Sequence, residues 1–157
     1  MIQRVQSLFL LVAAVAAIAV LFIPIGNVID STGFCLYQYD AFSLKKEGVG
    51  VLSTLYIALL WGVSAILSLV TIFMYKNRPR QVMMNGINML VMLAALVTML
   101  YIYPNLVFEK RQIVTSTSML EFNRLVLVSL VPAVCLYLAN MFIKKDEKKV
   151  RAADRLR

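Results

Sequence analysis

Four long apolar stretches, about 5–25, 51–75, 82–103 and 122–143, alternate with shorter polar ones along the chain. Each exceeds the roughly 20 residues that carry a helix across a hydrocarbon core about 30 Å thick. No Asp, Glu, Lys or Arg lies deep in any of them, and Arg124, in the first turn of the fourth, comes nearest. The pattern predicts an all-α integral membrane protein: a four-transmembrane-helix bundle forming one domain over 1–157. The first stretch is too long for the 7–15-residue core of a secretion signal. No small-residue cleavage site follows it, and Phe34 before Cys35 is too bulky for lipoprotein processing. It is therefore read as an uncleaved helix.

The connections differ. "KNRPRQ" is tight, so the second and third spans should be antiparallel neighbours. The loop at about 26–50 contains "FCLYQYDAF", with near-alternating polarity, and the loop at about 104–121 contains the β-branched "RQIVTSTSML". Each can form a short strand, and their pairing would make a small extracytoplasmic cap.

Composition agrees with lipid as the solvent. Hydrophobic residues make up 61% and charged residues 15% of the 157, with a mean hydropathy of +0.81. Soluble domains hold roughly 45–50% apolar and about 25% charged residues. The net charge of +8 is chiefly a topology signal, because basic residues stay on the cytoplasmic side of short loops. One side holds eleven: Arg4, then Lys76, Arg78 and Arg80, then seven in the tail 144–157. The other holds five: Lys45, Lys46, Lys110, Arg111 and Arg124. Both ends are then cytoplasmic.

Candidate chemistry is sparse. There is no histidine, which removes the usual proton carrier at neutral pH and the commonest metal ligand. The eight carboxylates all lie in loops or the tail, and ion-coupled transport generally needs ionisable groups inside the membrane. Neither catalysis nor a bound cofactor is expected. Cys35, in an outer loop, and Cys135, deep in the fourth span, are too far apart in depth to pair. Five methionines of the third span invite a Cu(I) reading, but they serve equally as gap fillers. Glu121 and Arg124 suggest a local ion pair.

The third span has the clearest face: Asn85, Asn88, Met92, Ala95, Met99 and Ile102 follow 3-4 spacing and share one stripe. The two amides should bond to neighbouring helices, or line a pocket or path. In the second span Ser64, Ser68 and Thr71 align, and Ala58 with Gly62 forms a small-residue pair, as do Ala13 and Ala17 in the first. Trp61 should sit at a helix contact, within the protein or with another. Pro132 should kink the fourth span.

The tail 144–157 reads as a basic helix continuing that span. Lys144, Lys148, Arg151 and Arg155 share one face, while Ile143, Val150, Ala153 and Leu156 fall roughly on another. Its partners could be anionic phospholipid headgroups or another membrane protein. Four net positive charges without aromatics make a poor nucleic-acid footprint.

"MIQRVQSLFLLVA" at the start, "IFMYKNRPRQ" between the middle spans and "IKKDEKKVRAADRLR" at the end together resemble a bacterial domain-of-unknown-function family of short four-span inner-membrane proteins. The resemblance covers the whole chain and implies topology, bacterial origin and an inner-membrane location, but no activity. Its motif positions are Gln3, Arg4, Gln6, Arg78, Gln81, Lys144, Lys145, Asp146, Glu147, Arg151, Asp154, Arg155 and Arg157, mostly on the expected cytoplasmic side. They suggest a hydrogen-bonded inner-face cluster that presents the tail, with Arg4, Arg78 and the tail residues, Lys148 included, as docking candidates. The expected role is a non-enzymatic accessory or scaffold subunit of a larger membrane assembly. The rival is a small transporter or channel lined by Asn85 and Asn88.

Overall fold

The computed structural model describes residues 3–75, 77–113 and 118–155, with side chains throughout that set except at 3, 4 and 147–155. Helix α1 (Gln3–Phe22) leads into strands β1 (Gly26–Asp30), β2 (Cys35–Tyr39), β3 (Ser43–Lys46) and β4 (Val49–Ser53). Helices α2 (Leu55–Phe73) and α3 (Arg78–Val97) follow, and α3 continues as a π-wound segment, Thr98–Phe108. Strand β5 (Ser118–Phe122), a 3-10 segment (Arg124–Ser129) and α4 (Leu130–Arg155) complete the chain.

The helices pack as a ring, α1 on α2, α2 on α3, α3 on α4 and α4 on α1. On α1 the contacts are made by Leu10, Ala13, Ala14, Ala17 and Val20, all buried, while Leu8, Val15 and Ile18 face outward. Ala13 and Ala17 thus provide the close approach expected of small residues in a membrane helix. Ala58 and Gly62 do not act as such a pair, since a Cβ added at Gly62 would meet nothing within 4 Å.

Four helical stretches, Val5–Phe22, Leu55–Phe73, Arg78–Phe108 and Arg124–Asp146, are long and apolar enough to cross a membrane. Only 28–39% of each is buried inside the molecule. A water-soluble monomer rarely exposes contiguous apolar patches beyond a few hundred Å², so outward faces of this size are compatible with lipid.

A five-stranded antiparallel sheet, ordered β4-β3-β2-β1-β5, overturns the all-α expectation. Strands lie in both suggested stretches, but β2 and β5 do not pair with each other, because β1 stands between them. Nor is the sheet a detached cap. Ile25, Val28, Tyr39, Ala41 and Leu44 are buried, and most of these join one core with helix residues such as Trp61, Met92, Met99 and Phe108. Glu47 and Gly48 (φ 50° and 83°) close the β3–β4 hairpin; a two-residue turn that follows the strand twist needs positive φ at both positions.

The strands escape hydropathy because they abut the helices. Val51 and Leu52 belong to β4 and Phe122 to β5, yet they merge with the neighbouring apolar runs. Pro132 lies in the first half of the fourth helical stretch. The 3-10 segment changes to α-helix at Leu130, two residues before this proline. Asn123 caps the 3-10 segment by accepting from the Leu125 N–H at 3.0 Å. Glu121 and Arg124 form no ion pair; among the described residues the pair present is Lys45–Asp40, at 2.8 Å.

Candidate functional site

A hydrogen-bonded seam runs between α2, α3 and α4. The 3-4 spacing of Asn85 and Asn88 turns both amides inward, and both residues are fully buried. Ser64 Oγ donates to Asn88 Oδ1 at 2.8 Å, and Asn88 Nδ2 donates to Ser68 Oγ at 2.8 Å. Ser68 Oγ donates to the Ser64 carbonyl at 2.9 Å. This closed loop satisfies the Asn88 amide at both ends without water. Asn85 Nδ2 donates to the Leu136 carbonyl of α4 at 2.9 Å, while its Oδ1 has no partner among the described residues. One turn further along α4, Asn140 makes only a long contact, Nδ2 to Met89 Sδ at 3.9 Å. These bonds join α3 to α2 on one side and to α4 on the other.

Trp61 is fully buried within the core, and its indole N–H has no partner among the described residues. It makes a helix contact inside the molecule rather than offering a surface to another protein. Both cysteines are free, Cys35 exposed on β2 and Cys135 buried in α4. Among the described residues no three His, Cys, Asp or Glu side chains converge as metal ligands would.

Beyond the seam, the end opposite the sheet is polar. Gln81 Nε2 donates to the Thr71 carbonyl at 3.1 Å and fastens the α2–α3 turn. Gln6 Nε2 of α1 donates to Asp146 Oδ2 of α4 at 2.8 Å, joining residues 140 positions apart. Arg78, at the start of α3, reaches the Asp146 backbone carbonyl at 3.5 Å. One turn deeper, Phe9 and Phe142 stack with ring centroids 5.6 Å apart.

Of the docking candidates, the structure therefore unites Arg78 and Asp146 with Gln6, and leaves Lys144 and Lys145 exposed. Asp146 is buried, at 8% exposure, so it belongs to the anchor and not to the exposed face of the tail. The side chains of Arg4, Glu147, Lys148, Arg151, Asp154 and Arg155 lie outside the described residues, although the α4 backbone continues through Arg155. Leu156 and Arg157 lie outside them altogether.

At the sheet end the π-wound segment contains Pro104, which the loop reading of 104–121 does not anticipate. In π winding the N–H of residue i bonds the carbonyl of residue i−5. Pro104 has no N–H for Met99, and Tyr39 Oη donates to that carbonyl at 3.0 Å instead. Tyr39 is fully buried, and burial pushes its hydroxyl well above the ordinary tyrosine range. Its ring meets Phe108 edge-on at 5.0 Å, and Tyr103 lies 6.2 Å from Phe108 in a similar geometry. Tyr103 Oη donates to the Ser53 carbonyl at 3.3 Å. Nothing in the sequence separately marks Tyr39, and a proline after an apolar run ordinarily signals the end of a helix.

A family model described as Domain of unknown function (DUF4293) matches residues 2–156, and the chain belongs to that family. No curated protein and no solved structure matches it.

Proposed function

We propose that this member of the DUF4293 family is a non-enzymatic accessory or scaffold subunit of a larger assembly in the bacterial inner membrane. It crosses the bilayer four times with both termini cytoplasmic. Its basic inner surface lies against anionic lipid headgroups, and its tail helix docks a partner protein. The observation that carries this reading is the Gln6–Asp146 bond at 2.8 Å, reinforced by Arg78. A buried polar anchor at the root of an uninterrupted helix fixes the direction in which that helix leaves the membrane. The nine residues from 147 to 155 then extend roughly 14 Å beyond the anchor at about 1.5 Å per residue. Attraction to lipid alone requires only positive charge, whereas a fixed helix direction favours a structured partner.

The orientation is supported by the eleven-to-five division of basic residues. It is also supported by the anchor and the sheet lying at opposite ends. A transport path along Asn85 and Asn88 has weaker support, because Asn88 is engaged at both ends and Asn85 through its amino group.

Co-purification in mild detergent tests the proposal. A reproducible partner should accompany the full chain and be lost on deleting Lys148–Arg157. A protein that purifies alone, with or without its tail, refutes docking. Solute flux through liposomes that disappears on changing both Asn85 and Asn88 to Leu would favour transport instead.

A further inference from the structure

At the sheet end an open groove of about 390 Å³ separates the start of α2 and strand β4 from the π-wound end of α3. Leu52, Ile102 and Val107 line it with apolar surface, while Tyr56, Thr98 and Arg111 supply polar groups. The winding creates this face. Thr98 and Tyr103, and likewise Ile102 and Val107, are five apart, a spacing that π winding brings together and α winding sets about 140° apart. The Tyr103–Ser53 bond ties the two walls together.

We propose that this groove holds one acyl chain of an anionic phospholipid, with the headgroup phosphate paired to Arg111. This inference rests on the membrane reading above. Both walls end stretches long enough to cross a bilayer, α2 at Leu55 and the α3 extension at Phe108. The groove therefore opens where headgroups meet chains. Tyr56 and Tyr101, 71% and 61% exposed, mark the same level, as interfacial aromatics do.

Charge complementarity selects the headgroup. No acidic residue lines the groove, and Arg111 has no ion-pair partner among the described residues. Lys110 precedes Arg111, and with Glu109 the three residues carry a net positive charge. A zwitterionic headgroup would bring its own cation toward this cluster, whereas a singly anionic phosphodiester brings none. An apolar protein helix would use the trough but leave Arg111 unpaired.

The test is native mass spectrometry of the full chain in non-ionic detergent. Phosphatidylglycerol and phosphatidylcholine of identical chains are supplied in equal amounts. The wild type should retain one phosphatidylglycerol with roughly fivefold preference, as expected for one basic side chain near a phosphate. Arg111→Gln should bring the preference close to one while a chain still binds. Val107→Trp should fill the groove and remove either lipid. Should that variant fail to fold, the exposed Tyr56→Ala should still weaken retention. Equal retention of the two lipids by the wild type, or unchanged phosphatidylglycerol occupancy in the variants, overturns the proposal. A protein that needs detergent yet carries no lipid defeats the groove alone; one that stays dispersed without detergent defeats the membrane reading first.

Discussion

Replacing Tyr39 with Phe isolates one hydrogen bond with little change in packing. The ring contacts with Phe108, at 5.0 Å, and Tyr103, at 6.4 Å, are available to Phe as they are to Tyr. What is lost is the hydroxyl that donates to the Met99 carbonyl at 3.0 Å, a carbonyl that Pro104 cannot serve. A buried acceptor deprived of its donor costs about 1–3 kcal/mol, and Tyr39→Phe should destabilise by that amount. In a Pro104→Ala background residue 104 regains an N–H in i→i+5 register with Met99. The same Tyr39→Phe change should then cost at least about 1 kcal/mol less, a coupling well above the few tenths that separate independent sites. Thermal unfolding in mild detergent provides the readout, because the single tryptophan, Trp61, is fully buried. Equal cost in both backgrounds, or no cost in either, would refute the account of the π-wound segment. The same hydroxyl also yields a pH prediction. Burial raises its pKa in the folded state, so the folded protein keeps a proton that the unfolded chain releases above about pH 10. Stability should therefore be intact below that pH and fall by about 1.4 kcal/mol per unit above it. Tyr39→Phe should remove this part of the slope.

Four further outcomes follow from named contacts. Asn88→Leu breaks the loop with Ser64 and Ser68 and should cost about 1–2 kcal/mol. Asn140→Leu, which loses only a 3.9 Å contact to sulfur and removes an unpartnered oxygen, should be neutral or stabilising by the same assay. Gly26→Ala would place a Cβ 2.6 Å from the Glu121 carbonyl oxygen of β5; a cost of about 1–3 kcal/mol is expected for such overpacking, and a wild-type melting temperature would contradict the close β1–β5 approach. Gln6→Ala removes the donor to Asp146 and should speed tryptic cleavage of the tail in inside-out vesicles, while cleavage at the wild-type rate would mean that the tail root is held without it.

The interior face of α3 was legible because it repeats with the period of its helix. Asn85, Asn88, Met92, Ala95 and Met99 are all buried, and the serines opposite them follow the same rule on α2. The sheet was not legible as a sheet, for a physical reason. Strands of four or five residues abut membrane-length helices, and their Val, Leu and Phe residues add to the hydropathy of the neighbouring run. Pairing of β1 with β5 is moreover a contact between distant segments, which no local pattern encodes. Pro104 misled because its penalty applies to α winding with no outside donor, and here Tyr39 supplies one from another element. The polar cluster opposite the sheet was readable as a gathering of motif residues at one end of the helices. That Asp146 would turn inward to Gln6 while Lys144 and Lys145 stay exposed depended on where α1 begins relative to α4.

The two fastenings between the first and last helices also bear on how the protein is made. Pairing of β1 with β5 closes the ring at one end, and Gln6 with Asp146 closes it at the other. Both use residues that follow the third helix. On the membrane reading proposed above, a chain with three helices inserted holds an open β1 edge at one end of the bundle and a Gln6 amide without its Asp146 acceptor at the other. Arrival of the fourth helix closes both in a single late event. On that reading, an incomplete copy differs from a finished one at both ends of the bundle.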